Sequence, residues 1–178
     1  WTLPDAIFYP TGGGTGLIGM WKAFAELKEI GWLTGRLPKM IAVQSTGCAP
    51  IVDAFNKGLD HATLWKNANT VASGIRVPAA IGDFLILEAI RKSGGCAFAV
   101  DDDHIIKVRN LVAQEDGLLL CPEGAATAAG YQMALEQKII NPNEKVILFN
   151  CASGLKYPMP GAEKIIDKDL PVNYEQFL

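Results

Sequence analysis

A glycine-rich loop near the start of the chain is the part of the sequence best suited to binding an anion. In the stretch YPTGGGTGLIGMWKAF, from Tyr9 to Phe24, four of the five positions 12–16 are glycine, and an apolar helical pattern follows. Glycines just before a helix let backbone N–H groups close on an anion, and the positive end of the helix dipole adds attraction. We therefore predict a phosphate cradle here rather than a tight turn without a ligand.

The residues around this loop narrow the kind of phosphate compound. Gly14, Gly16 and Gly19 spell G-x-G-x-x-G, but no G-K-[ST] opens the helix, which disfavours a nucleoside triphosphate. A dinucleotide site needs an acid at the end of the next strand, to bind the ribose hydroxyls. The next predicted strand, MIAVQ, ends at Gln44, and no Asp or Glu follows before Asp53. The sequence therefore disfavours a dinucleotide-binding dehydrogenase.

Composition and charge indicate one globular domain over residues 1–178. Hydrophobic residues make up 49% and charged residues 20% of the 178 positions, which is typical of a chain with a sizeable core. The net charge of −3 offers no field that attracts nucleic acid or an anionic membrane. No apolar run is long enough to predict a membrane span. We expect neither nucleic acid nor membrane as a partner.

The cysteines and histidines exclude two further classes of site. Cys48, Cys96, Cys121 and Cys151 lie far apart without a C-x-x-C pair, which argues against a zinc module and a disulfide framework. With only two histidines, we expect no multi-histidine metal site. This cysteine usage fits a reducing cytosol, and we expect the protein to be cytoplasmic.

Short apolar strands alternate with helical patterns along the chain. The predicted strands are Ala6–Pro10, Met40–Gln44, Cys96–Val100, Leu118–Cys121 and Lys145–Asn150. Helical patterns cover 17–33, 50–57, most of 79–95, 101–117 and 124–137. This alternation is typical of βαβ units, and it predicts a three-layer α/β/α fold with a mostly parallel sheet. Ligands of such sheets bind beyond the carboxyl ends of the strands, so we expect the site at the loops TGGGTG, CPEGAAT and NCASGLKYP.

Five stretches, taken in order, resemble the C-terminal part of threonine synthases, which are fold-type II pyridoxal 5′-phosphate (PLP) enzymes. They are PTGGGTGLIGMWKAF, MIAVQSTGCAPIVDAF, TVASGIRVP, CPEGAATAAGYQMAL and NCASGLKYP, and the resemblance extends from about Leu3 to Pro158. It implies PLP as the cofactor and the large domain of a fold-type II enzyme as the fold. Relatives such as threonine and serine dehydratases share these features.

The resemblance also implies which residues bind the cofactor. The family grips the PLP phosphate with a glycine-rich loop, which here comprises Gly12, Gly13, Gly14, Thr15 and Gly16, with the Thr15 hydroxyl as an extra donor. The family places a small Ser, Thr or Cys opposite the pyridine nitrogen. The block FNCASGLK puts Cys151 at that position, with Ser153 as the alternative if the register differs by two.

Three further segments have competing interpretations. Gly74 resembles a family glycine that lets the backbone approach the cofactor ring, and a plain turn is the alternative. Glu123 could be an acid near the ring, but a position in the first turn of a helix also explains it. Relatives often place an acid where this chain has Cys121, which weakens a catalytic role for Glu123. The acidic cluster 101–103 with His104 is best explained as a helix cap rather than as a metal site.

The family's Schiff-base lysine lies upstream of the glycine loop, and no lysine of this sequence occupies a comparable setting. The chain also opens without methionine, so we expect a fragment of a longer enzyme that lacks the lysine-bearing part and is inactive alone. The catalytic residues of the chain are therefore unknown at this stage. The parent protein is expected to be a homodimer that converts the phosphorylated amino acid O-phospho-L-homoserine and water to L-threonine and phosphate. The alternatives are a dehydratase-like lyase and a non-catalytic PLP- or amino-acid-binding module.

Overall fold

Four strands and five α-helices alternate along residues 2–158 and 166–177, the part of the chain that the computed structural model describes. The strands are β1 (Ala6–Pro10), β2 (Lys39–Ser45), β3 (Ala97–Val100) and β4 (Val146–Leu148). The helices are α1 (Thr15–Glu29), α2 (Pro50–Asn56), α3 (Asp83–Lys92), α4 (Asp102–Asp116) and α5 (Pro122–Glu136). Short 3-10 helices cover Ser73–Ile75, Gly154–Lys156 and Tyr174–Phe177. None of the helices described is long and apolar enough to cross a bilayer.

The strands form one sheet in the order β3-β2-β1-β4, and each neighbouring pair is parallel. Phe8 at the centre of β1 pairs with Ile41 on one side and with Leu148 on the other. The sheet therefore confirms the predicted parallel α/β class.

Successive side chains of the strands enter opposite cores. Phe8, Ile41 and Val43 belong to a core that α4 and α5 cover. Ile7 and Met40 belong to a second core that α1, α2 and α3 cover. This alternation follows from the two-residue period of a strand, and it produces the predicted three layers.

The order in which strands are added to the sheet reverses at β1, which gives a topological switch point between β1 and β4. From β1 it adds β2 and then β3 on one side, whereas β4 returns to the opposite side of β1. Ligands of parallel α/β sheets bind at such a switch point, outside the carboxyl ends of the two strands. The loops after β1 and β4 therefore meet at the expected position for a site.

One predicted strand is wrong. Leu118–Cys121 forms a single antiparallel bridge, between Leu120 and Ser153, and no ladder. The Leu120 N–H donates to the Leu118 carbonyl at 3.1 Å, so the backbone turns where a strand would be extended. The residues then lead directly into α5, whose N-cap is Cys121.

The predicted helix cap at the acidic cluster is confirmed. The Asp101 carboxylate accepts the N–H of His104 at 2.8 Å and so caps α4. The neighbouring Asp102 accepts hydrogen bonds from the hydroxyls of Ser45 and Thr70, at 3.0 and 2.6 Å. This cluster therefore joins the start of α4 to the end of β2.

We predict that Phe8→Ala lowers the free energy of unfolding by about 3–5 kcal/mol, since it leaves a cavity in a core. Phe8 is fully buried, stacks on Phe98 and meets Tyr131 edge-on. Urea denaturation measures the change. Trp32→Ala is the control, because Trp32 is 67% exposed, and it should change stability by less than about 0.5 kcal/mol. Equal stability of the two variants would contradict the proposed role of Phe8.

Candidate functional site

A cavity of about 210 Å³ lies at the switch point between β1 and β4. One wall is formed by Pro10 at the end of β1 and by residues 12–15, and another by Gly74 and Ile75 of the 3-10 segment. The side chains of Tyr9, Glu123, Cys151 and Tyr157 complete it. The structure thus brings together residues from the three loops that the sequence singled out.

The start of α1, beside this cavity, has unpaired backbone donors. The first helical hydrogen bond runs from the Ile18 N–H to the Gly14 carbonyl at 3.0 Å. Among the described residues, no acceptor pairs with the backbone N–H groups of positions 12–17. Unpaired N–H groups at the positive end of a helix dipole are the kind of donors that an anion requires. The donor set therefore fits a phosphate group.

The backbone of the loop depends on glycine at one position and leaves space at another. Gly14, the N-cap of α1, has a φ of 72°, a conformation that L side chains rarely adopt. A Cβ at Gly14 would also collide with Ile86. A Cβ at Gly13, in contrast, would meet no atom within 4 Å, and Gly13 is exposed. An incoming ligand can therefore reach the loop at Gly13.

Gly16 has a different environment from the rest of the predicted cradle. Gly12, Gly13, Gly14 and Thr15 line the cavity, whereas Gly16 lies in the first turn of α1 and does not. A Cβ at Gly16 would overlap the Tyr9 hydroxyl. Its side of the helix therefore accommodates Tyr9, while its N–H remains among the unpaired donors.

Tyr9 lies in the cavity wall, and the sequence pattern did not reveal it. Its ring packs at 5.0 Å from that of Phe149. Burial, and then the neighbouring Cys151, raise the pKa of Tyr9. The phenol therefore stays protonated near neutral pH. The only hint in the sequence is its position at the end of a strand.

The structure distinguishes between the two candidates for the residue after β4. Cys151 is exposed and lines the cavity. Ser153 instead caps the 3-10 helix Gly154–Lys156, where its hydroxyl accepts the Leu155 N–H at 3.3 Å. The geometry thus favours Cys151 over Ser153 as a group that a ligand in the cavity would meet.

Glu123 has a more specific environment than its helix position suggested. It lies in the first turn of α5, as expected, but its side chain is in the cavity wall and the residue is only 2% exposed. Oε1 accepts the Gly74 N–H at 2.6 Å, and Oε2 accepts the Tyr157 hydroxyl at 2.7 Å. Burial and the Glu123 carboxylate raise the pKa of Tyr157. The motif NCASGLKYP contains Tyr157, but the sequence pattern assigns it no role.

A larger groove of about 480 Å³ lies elsewhere and contains none of the predicted site residues. It is lined by Phe84, His61 and two ion-paired couples, Arg91 with Asp60 and Lys92 with Glu88. Surface pairs of this kind contribute little, and the groove lacks unpaired backbone donors from a glycine loop. The smaller cavity is therefore the better candidate for chemistry. No lysine of the described residues lines it.

Comparison with known proteins identifies the family of the chain. Residues 2–152 match the family described as "Pyridoxal-phosphate dependent enzyme". The threonine synthase of Methanocaldococcus jannaschii is 35% identical over 158 residues, which are 89% of this chain and 39% of that protein. The threonine synthase of Methanosarcina acetivorans is 34% identical, over 88% of this chain and 38% of that protein. The chain therefore belongs to the pyridoxal-phosphate dependent enzymes, whose cofactor is PLP.

Solved structures show the same fold. The threonine deaminase of T.th. has a TM-score of 0.64 at 18% identity, over 89% of this chain and 53% of that one. The processed threonine deaminase isoform 2 of Solanum lycopersicum has a TM-score of 0.64 at 24% identity, over 88% of this chain and 43% of that one. The fold is thus that of the fold-type II enzymes. The chain spans about two fifths of the length of the threonine synthases it matches.

We predict that alkylating reagents at pH 8 modify Cys151 at least about 100-fold faster than Cys121, since the thiolate is the reactive form. Burial raises the pKa of the Cys121 thiol to about 11, which leaves about one thiolate in a thousand at pH 8. Cys151 is exposed. Peptide mass spectrometry measures both rates. In urea the two rates should converge, and equal rates in the folded protein would contradict the structure around Cys121.

Proposed function

We propose that this protein is part of a threonine synthase, which converts O-phospho-L-homoserine and water to L-threonine and phosphate with PLP. The observation that supports PLP binding is the set of unpaired N–H groups at the start of α1, at the switch point of the sheet, and the choice of reaction rests on sequence similarity. The archaeal relatives at 35% and 34% identity bear that name. Because the chain spans only part of those relatives, the reaction belongs to the parent enzyme, with residues outside this chain.

The glycine loop would hold the cofactor by its phosphate. The N–H groups of Gly12, Gly13 and Gly14 and of the first turn of α1 would donate to the phosphate oxygens, with the Thr15 hydroxyl as an extra donor. The helix dipole favours the same negative group. When bound, PLP withdraws electrons from the substrate carbon and makes its protons easier to remove.

Cys151 would face the pyridine nitrogen of the cofactor. It follows β4, next to β1, and lines the same cavity as the glycine loop. A thiol at this position does not force protonation of the ring nitrogen, whereas a carboxylate would. The residue would therefore limit the electron withdrawal of the ring and favour elimination and replacement chemistry.

A dehydratase-like lyase is the second candidate, because threonine deaminases share this fold. Their identity of 18% and 24% is below that of the threonine synthases. A common fold supports several reactions, so the fold does not choose between the two. The closer sequence relationship favours threonine synthase.

The two reactions release different products. We predict that the intact protein, as its source makes it and with PLP, releases phosphate and threonine in equal amounts from O-phospho-L-homoserine. Its mass should exceed 19.1 kDa, and borohydride should remove the visible absorbance of the bound cofactor. Ammonia and 2-oxobutanoate from threonine, without phosphate release, would indicate the lyase instead. Binding of PLP without turnover of either substrate would indicate a non-catalytic module.

The phosphate cradle can be tested by placing a carboxylate in it. We predict that Gly13→Asp weakens PLP binding at least about 100-fold, because like charges in contact cost several kcal/mol. A Cβ at Gly13 meets no atom within 4 Å, and Gly13 is exposed, so the fold should persist. Equilibrium dialysis measures the affinity.

Gly19→Asp is the matched control for the cradle. Gly19 is also exposed, its Cβ also meets nothing within 4 Å, and the change in charge is the same. It should alter PLP affinity by less than about threefold, since charges act weakly through solvent. Binding of pyridoxal, which lacks the phosphate, should be affected much less by Gly13→Asp. Unchanged PLP affinity in Gly13→Asp would disprove the cradle.

A further inference from the structure

Glu123 is a buried carboxylate whose hydrogen bonds come from two distant segments. Its donors are the Gly74 N–H, 49 positions away, and the Tyr157 hydroxyl, 34 positions away. The residues described include no Lys or Arg in an ion pair with it. Burying a carboxylate is costly unless hydrogen bonds compensate. The two donors therefore stabilise the buried Glu123 side chain, and Glu123 in turn fixes the positions of both donors.

The bond to Gly74 positions a wall of the cofactor cavity. A Cβ at Gly74 would lie 2.9 Å from Glu123 Oε1, so only glycine lets the backbone approach the carboxylate this closely. On its other side, the Gly74 carbonyl would lie 2.8 Å from a Cβ at Gly12. The 3-10 segment is therefore packed between Glu123 and the glycine loop. A shift of this segment would change the space at Gly12.

The bond to Tyr157 positions a second wall. Tyr157 lines the cofactor cavity and also a neighbouring cavity of about 250 Å³, which Val71, Ile106, Arg109 and Pro122 help to form. Tyr157 is therefore part of the boundary of both spaces. Its pKa is raised by burial and by Glu123, so the hydroxyl remains a donor to the carboxylate at working pH.

We propose that Glu123 is a positioning residue: its carboxylate joins the Ser73–Ile75 segment and Tyr157 to the start of α5 and thereby sets the shape of the cofactor cavity. The effect of Glu123 on PLP affinity rests on the proposed phosphate cradle. The hydrogen bonds, not the negative charge, carry the role. Glu123 does not need to touch the substrate or the reacting atoms.

Variants of Glu123 and Tyr157 can separate the effect of the hydrogen bonds from the effect of the negative charge. In Glu123→Gln the amide oxygen can accept the Gly74 N–H while the amide nitrogen donates to the Tyr157 oxygen, so both bonds persist without the charge. Glu123→Ala removes both bonds, and Tyr157→Phe removes one and keeps the ring. Glu136→Ala is the control, since Glu136 is exposed at the end of the same helix.

We predict that Glu123→Ala weakens PLP binding by the intact protein at least about tenfold, as expected for the loss of two buried hydrogen bonds. Tyr157→Phe should lose about threefold, whereas Glu123→Gln and Glu136→Ala should stay within about twofold of wild type. Hydrogen exchange of peptide 70–77, measured without PLP, should accelerate at least about tenfold in Glu123→Ala and remain unchanged in Glu123→Gln.

Each outcome bears on the proposal. Wild-type affinity and exchange in both Glu123→Ala and Tyr157→Phe would overturn it, and so would a Glu123→Gln variant as defective as Glu123→Ala, which would assign the role to charge. If Glu123→Ala does not fold, the PLP affinities of Tyr157→Phe and Glu123→Gln still test the proposal. Failure of the cradle would appear separately, as wild-type PLP affinity in Gly13→Asp, while hydrogen exchange without PLP still tests the connection made by Glu123.

Discussion

The parallel pairing of β4 with β1 is the constraint on which the site depends. Ala6 pairs with Val146 and Phe8 with Leu148, so the chain crosses to the far side of β1 after β3. Strands that run in the same direction end at the same edge of the sheet. The glycine loop and Cys151, far apart in sequence, therefore line one cavity. Without this pairing, the loop after β1 and the loop after β4 would not lie side by side.

The glycine loop leaves several backbone N–H groups without a partner among the described residues. Unpaired backbone N–H groups at a helix end are unfavourable unless water or a ligand satisfies them. In this loop, glycine permits the left-handed conformation at Gly14 and the close approach of Tyr9 at Gly16. Both features tie the conformation of the loop to glycine at these positions.

The walls of the cavity are held by long-range contacts. Glu123 contacts Gly74 on one segment and Tyr157 on another, and Gly74 in turn packs against Gly12. These contacts lie in front of the glycine loop and border the space that it faces.

The sequence by itself determined the layered α/β class, strand β1 with both of its ends, a helix cap within the acidic cluster 101–103 and the position of the glycine loop, because each depends on neighbouring residues. It also suggested Leu118–Cys121 as a strand, which the turn at Leu120 contradicts. Only the tertiary structure placed Cys151 rather than Ser153 in the cavity and joined Glu123 to Gly74 and Tyr157. Those contacts span 49 and 34 positions, and the order of strands in the sheet, which no local pattern encodes, brings them together.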